Sequence, residues 1–180
     1  MPQMKFNWVD IFFVILLFRT CYIGFKNGIL PEFFRLSGIF LAFVLSFNSY
    51  ILVSDFLAKH AKLTGLKADI TGFLFIFLVV VLIFKLLAIL MYKLLGNIEN
   101  VSLANKIAGL LLGAIRGVLL IGLVHILLIY SPVNYLNKSA KEKSFLAPYA
   151  SHVAPFAYNI GMSVYPFQKY ETPLVKLITK

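Results

Sequence analysis

The sequence predicts an all-α polytopic membrane protein, a bundle of four transmembrane helices followed by a short amphipathic C-terminal tail. Of its 180 residues, 61% are hydrophobic and only 13% are charged, whereas soluble domains are about half apolar and about one quarter charged. The apolar residues are concentrated in four stretches, and each approaches or exceeds the roughly 20 residues that a helix needs to cross a bilayer. The predicted spans are Trp8–Phe25, Ile29–Val53, Ile70–Leu95 and Leu103–Tyr130.

The spans divide the chain into two predicted parts. Residues 1–130 form the four-helix transmembrane domain, and residues 131–180 form an interfacial, amphipathic and basic tail. The spans and their short connections leave no room for a separate soluble catalytic domain of ordinary size.

The first span is predicted to be retained and to pair with the second. A cleaved signal needs an unbroken apolar region and a cleavage site of small residues, but Asp10 and Arg19 bracket a short apolar run here. The segment Gly24–Pro31 then combines two glycines, an asparagine and a proline, which favour a turn. We therefore predict that spans one and two form a tight antiparallel hairpin.

The next segments are predicted from charge and length. Ser54–Asp69 has mixed charges and is predicted to be a short surface loop that could be helical. The third span contains the β-branched and aromatic run Phe73–Val81, and its length favours a membrane helix over a buried strand. Gly96–Asn100 is predicted to form the following turn.

The tail is predicted to lie on the membrane surface. Phe145–Val164 alternates apolar and small residues and is interrupted by Pro148 and Pro155. This pattern indicates one or two short interfacial helices.

A glycine ridge marks the fourth span. Gly109, Gly113 and Gly117 recur every four residues, so they lie on one side of the helix and let another backbone approach closely. Two interpretations remain open: a homo-oligomer that packs through this ridge, or packing against another span of the same chain. We favour the second, because a four-span bundle must pack internally.

Charged residues inside the spans are the candidate functional positions. Arg116 lies within span four, where an arginine costs roughly 2.5–3.5 kcal/mol; it must snorkel to the surface or pair with Asp10 or Glu32. Glu32 and Arg35 are three residues apart and share a helix face, which favours a local ion pair. Lys85 has no nearby acid and is expected to face the bundle interior or reach the head groups.

Enzyme motifs are missing from the sequence. It contains no G-x-S-x-G, H-E-x-x-H, P-loop or C-x-x-C pattern, and its three histidines show no metal-ligand spacing. We therefore predict no catalytic residue, cofactor or metal site. The net charge of +10 indicates the positive-inside bias of a membrane protein and attraction to anionic lipid head groups, and not nucleic-acid binding.

Several segments, taken in order, resemble one bacterial family. The segments are Trp8–Asp10, Gly24–Gly38, Asn105–Gly109, Gly113–Leu119 and Ser144–Pro148. Together they are similar to the colicin V production protein (CvpA) family of bacterial inner-membrane proteins. The resemblance covers roughly residues 6–150 and leaves the last 30 residues outside the pattern.

The resemblance implies a multi-pass protein of the bacterial inner membrane that is linked to colicin V export and envelope homeostasis. It supplies no reaction and no catalytic residue. The positions that match the family pattern are Asp10, Gly24, Gly28, Glu32, Gly109, Gly113, Arg116 and Gly117.

Two functions are carried forward. The first is a non-enzymatic protein that supports toxin production or export and envelope integrity through contacts with an unidentified membrane protein. The second is a small oligomeric channel or transporter in which charged intramembrane residues line a path. The residues expected to line it are Asp10, Glu32, Lys85 and Arg116.

Overall fold

The fold is a helical bundle with four long apolar helices. The computed structural model describes residues 7–61, 65–94, 102–131, 134–142 and 144–164, and these form helices without any strand. The helices are α1 (Trp8–Asn27), α2 (Ile29–Ala61), α3 (Leu66–Leu94), α4 (Leu103–Ile129), α5 (Asn134–Glu142) and α6 (Ala147–Val164). The first four are long and apolar enough to cross a membrane, which confirms the predicted spans.

The outer surface of the bundle is apolar, as a lipid-facing surface must be. Large apolar side chains point outward from the long helices, among them Phe18, Leu52 and Leu86, which are 74%, 76% and 61% exposed. Such residues are tolerated singly on a soluble protein, but a continuous apolar surface indicates contact with a membrane or a partner. The pattern of exposure therefore agrees with the membrane assignment.

The central helix of the bundle is α4. It packs against α1 on one side and α2 on the other, and α3 packs mainly on α2. Although α1 and α2 are joined by Gly28 alone, they share few contacts. The predicted tight pairing of spans one and two is therefore wrong, because the small residues of α1 face α4 instead.

The turn between α1 and α2 depends on one glycine and one asparagine. Gly28 ends α1 with φ of 78°, a backbone conformation that residues with a Cβ rarely adopt. The Asn105 side-chain oxygen then accepts a hydrogen bond from the Ile29 N–H at 2.7 Å. This bond satisfies one of the free N–H groups at the start of α2 and attaches the turn to α4.

The connection between α2 and α3 is shorter than predicted. Helix α2 continues to Ala61 and α3 begins at Leu66, so most of the predicted loop Ser54–Asp69 is helical. A hydrogen bond links the two helices: the Ser54 hydroxyl of α2 donates to the Asp69 carboxylate of α3 at 2.6 Å. The predicted turn at Gly96–Asn100 lies outside the described residues.

The tail helix α6 belongs to the same core as the spans. Ala154, Ala157, Tyr158 and Met162 of α6 pack into an aromatic cluster that includes Phe47 of α2. Small residues allow this approach: a Cβ on Gly161 would lie 2.2 Å from the Val44 side chain. The small residues of this segment therefore form a packing face, and its place at the membrane surface stays a prediction.

Helix α5 lies against the ends of α1 and α4. The Asn137 amide donates to the Ile129 carbonyl at 2.5 Å, and the Tyr135 ring stacks on Trp8 with centroids 6.4 Å apart. Paired aromatic residues at this end fit an interfacial belt. Residues 165–180, the most distal part of the predicted tail, lie outside the described residues.

Candidate functional site

A buried ion pair joins two of the long helices. Glu32, in the first turn of α2, is fully buried, and Arg116, near the middle of α4, is 6% exposed. Arg116 Nη1 lies 2.8 Å from Glu32 Oε1. Of the two acids that the sequence offered as partners for Arg116, the structure places Glu32 beside it.

A second arginine shares the same carboxylate. Arg35 Nη1 lies 3.4 Å from Glu32 Oε2, so the predicted local pair between these residues is present. Each oxygen of Glu32 therefore faces an arginine, one from its own helix and one from α4. One negative charge cannot neutralise two positive ones, so this triad has an excess positive charge.

A cavity of about 250 Å³ lies beside the triad. Four helices contribute to its wall, with three cations and three aliphatic side chains. The lining residues are Ile23, Arg35, Ile39, Val81, Lys85 and Arg116. From the sequence, Lys85 is expected to face the bundle interior or to reach the head groups. In the structure Lys85 lines this cavity and is also exposed to the surroundings.

The polar groups of Arg116 are only partly satisfied. Its Nη1 meets Glu32, but its Nε is buried and has no hydrogen-bond partner among the described residues. Buried donors without partners are uncommon and costly. The cavity thus combines three cationic groups with one carboxylate at its margin, which is an arrangement suited to an oxyanion.

The glycine ridge of α4 packs against α1. A Cβ on Gly24 would lie 2.2 Å from the Gly109 carbonyl oxygen, and one on Gly113 would lie 2.5 Å from the Thr20 carbonyl oxygen. Gly117 faces the Thr20 hydroxyl in the same seam. Helix α1 therefore occupies the ridge within the chain, which is the internal alternative raised by the sequence.

Asp10 belongs to a different cluster. Its carboxylate accepts hydrogen bonds from the Ser144 hydroxyl at 2.6 Å, the Leu146 N–H at 2.9 Å and the Phe145 N–H at 3.2 Å. A further bond from the Asn7 N–H at 2.8 Å completes the cap of α1. We call the contacts between Asp10 and residues 144–146 the Asp10 clamp, because they attach the tail to the first span.

The predicted polar path is therefore divided. The structure brings Glu32, Lys85 and Arg116 together at the cavity, but Asp10 lies in the first turn of α1. Thr20, which faces the glycine ridge, is ten residues further along α1, or about 15 Å at 1.5 Å per residue. The four charged residues that were expected to line a path therefore do not lie around a single space.

Sequence reasoning missed three polar residues that fix this geometry. Ser144 belongs to the segment Ser144–Pro148 of the family resemblance, but its hydroxyl donates to Asp10, 134 positions away, and no local pattern indicates that partner. Asn105 joins α4 to the start of α2, and Thr20 joins α1 to α4; no local pattern indicates such partners. Within the described part of the chain, no group of three or more histidine, cysteine or acidic side chains could hold a metal ion.

Comparison with known families gives a clear result. The model of the family described as colicin V production protein matches residues 9–155. The chain belongs to the colicin V production protein family. The match includes all four spans, α5, the Asp10 clamp and the first half of α6. Neither a curated protein nor a solved structure shows a significant match to the chain.

Proposed function

We propose that this chain supports colicin V production and export, and the integrity of the bacterial envelope, through contacts with other membrane proteins and without catalysis. The observation that carries the proposal is the family match over residues 9–155. We further propose that the chain resides in the bacterial inner membrane. Separation of inner and outer membranes on a density gradient tests the location, and recovery of the chain with outer-membrane markers contradicts it.

The distribution of charged and apolar groups supports a role in contacts. The buried carboxylates of Asp10 and Glu32 are both engaged inside the chain. The outer faces of α1 and α3 instead present large apolar groups, such as Phe18 and Phe75, which are 74% and 59% exposed. These faces are open to lipid or to the helices of a partner.

Complementation tests the link with the toxin. In a strain that produces colicin V but lacks its own family member, expression of this chain is expected to restore toxin activity in the medium. The control is the same strain carrying the vector without the chain. Normal accumulation of the unaltered chain in the membrane without any restored toxin activity contradicts the proposal.

Site-specific crosslinking tests the role of contacts. A photoreactive residue at Phe18, on the outer face of α1, is expected to give adducts with another membrane protein in native membranes. The same group at Phe47, which is 2% exposed in the core, serves as the control and should give no adduct with another chain. Adducts of twice the mass of the chain would indicate a homo-oligomer.

The cavity favours a second candidate function, a small channel or transporter for an anionic solute. Arg35, Lys85 and Arg116 line a space of about 250 Å³ within the bundle. Purified chain in liposomes tests it by anion flux, with Lys85→Gln as the informative variant and Lys67→Gln as the matched control on the same helix. Silent liposomes favour the first function, and flux that is lost in Lys85→Gln alone favours the second.

A further inference from the structure

We propose that the cavity bounded by Arg35, Lys85 and Arg116 is a binding site for a phosphate group. The shared chemistry is a phosphate oxyanion, whether it belongs to a phospholipid head group or to free phosphate. This proposal is independent of the link to colicin V.

The site is assembled from separate helices. Arg35 comes from α2, Lys85 from α3 and Arg116 from α4, so residues far apart in the sequence place their charges around one space. Arginine and lysine are the side chains that proteins use for phosphate, the arginine as a planar fork and the lysine as a compact charge. Three such groups on one wall are expensive inside a membrane protein unless they are compensated.

The compensation within the described chain is incomplete. Glu32 supplies one negative charge against the three cations. Of the other described aspartates, Asp10 is engaged by the tail and Asp69 accepts from Ser54. Asp55 is exposed on α2, 20 residues or about 30 Å along the helix from Arg35. Two positive charges therefore remain. Free phosphate, with about −1.5 to −2 charges at pH 7, would neutralise most of this excess, and a phospholipid phosphodiester, with one negative charge, would neutralise half of it.

Arg116 is held deep at the wall of the cavity. It is 6% exposed, it lines the cavity, and its Nη1 lies 2.8 Å from Glu32 Oε1. Arg116 Nε and Glu32 Oε1 are both buried and without a hydrogen-bond partner among the described residues. The ion pair therefore does not fully satisfy either side chain, and the cavity beside it keeps an excess of positive charge.

The position and the walls of the cavity suit an amphiphile. Arg35 is six residues from the start of α2 and Lys85 nine residues from the end of α3, or about 9 Å and about 14 Å along the helix axes. Both side chains are long enough to extend toward the head-group layer from such depths. Ile23, Ile39 and Val81 add an apolar wall beside the charges.

The first experiment identifies the ligand. Thermal unfolding of the purified full chain in a neutral detergent is followed with added phosphatidylglycerol, phosphatidylcholine or inorganic phosphate. Saturable stabilisation by phosphatidylglycerol that phosphatidylcholine does not reproduce supports a lipid phosphate, and saturable stabilisation by inorganic phosphate alone supports the free anion. No saturable stabilisation by either phosphatidylglycerol or inorganic phosphate overturns the proposal.

The second experiment locates the site. Lys85→Gln removes one of the incompletely compensated cations at an exposed position, so without ligand the variant should unfold at or slightly above the parent temperature. The half-saturating concentration of whichever ligand binds is expected to rise about five- to tenfold, as for loss of one charged contact. Lys67→Gln makes the same change at an exposed position near the other end of α3, and it should leave the half-saturating concentration unchanged. Equal weakening by both variants overturns the proposal, because it indicates attraction by overall charge.

Discussion

Asp10 and Ser144 are 134 positions apart in the sequence, yet the Ser144 hydroxyl donates to Asp10 Oδ1 at 2.6 Å. Asp10 is fully buried and also accepts the Leu146 N–H at 2.9 Å, immediately before α6 begins. The start of the first span therefore fixes the start of the tail helix. Because α6 packs into the aromatic core, this one carboxylate connects the first span and the tail helix into a single body.

Asp10→Ala is expected to destabilise the chain strongly. The substitution leaves the Ser144 hydroxyl and three backbone N–H groups without their acceptor, and an orphan donor costs about 1–3 kcal/mol where it is buried, as at Ser144. Thermal unfolding in detergent should show a clear fall in midpoint. Limited proteolysis should show earlier cleavage at the α5–α6 junction. Asp55→Ala, at an exposed position on α2, is the control. Equal unfolding midpoints for the two variants would show that the Asp10 clamp does not stabilise the chain.

Glu32→Gln is expected to cost about 3–5 kcal/mol of unfolding free energy, because removing one partner leaves a buried charge unpaired. Replacing both partners, as in Glu32→Gln with Arg116→Met, should recover much of this loss. Equilibrium unfolding of the parent, both single variants and the double variant measures the coupling. Additive losses in this cycle would show that the two side chains do not interact.

Gly113→Ala is expected to lower stability by about 1–3 kcal/mol, since the added methyl meets the Thr20 carbonyl and α1 must move away from α4. Val118→Leu adds one carbon on the same helix at a position that is 42% exposed, and should have little effect. Unfolding midpoints in detergent provide the comparison. A Gly113→Ala variant as stable as Val118→Leu would mean that the seam tolerates extra volume.

Asn105→Ala is expected to cost about 1 kcal/mol, because the Ile29 N–H at the start of α2 loses its acceptor. Asn159→Ala removes the same side chain from an exposed site on α6 and serves as the control. Backbone hydrogen exchange should speed up at the α1–α2 turn in Asn105→Ala alone. Unaltered exchange there would show that the turn does not depend on α4.

Local features of the sequence were enough for the spans and for several candidate positions. Four apolar stretches of sufficient length predicted four transmembrane helices, and the glycine spacing predicted close packing along α4. The Glu32–Arg35 pair followed from their spacing on one helix face. Each of these depends on residues close together in the chain, so composition and periodicity were sufficient.

The sequence by itself determined that this is a four-span membrane protein of the colicin V production protein family, because the length, apolarity and order of its motifs are properties of the linear chain. Only the tertiary structure decided that Arg116 faces Glu32 and not Asp10, and that α6 enters the core. These outcomes depend on which helices become neighbours. That choice is made by close approach between small residues distant in sequence, such as Gly24 and Gly109.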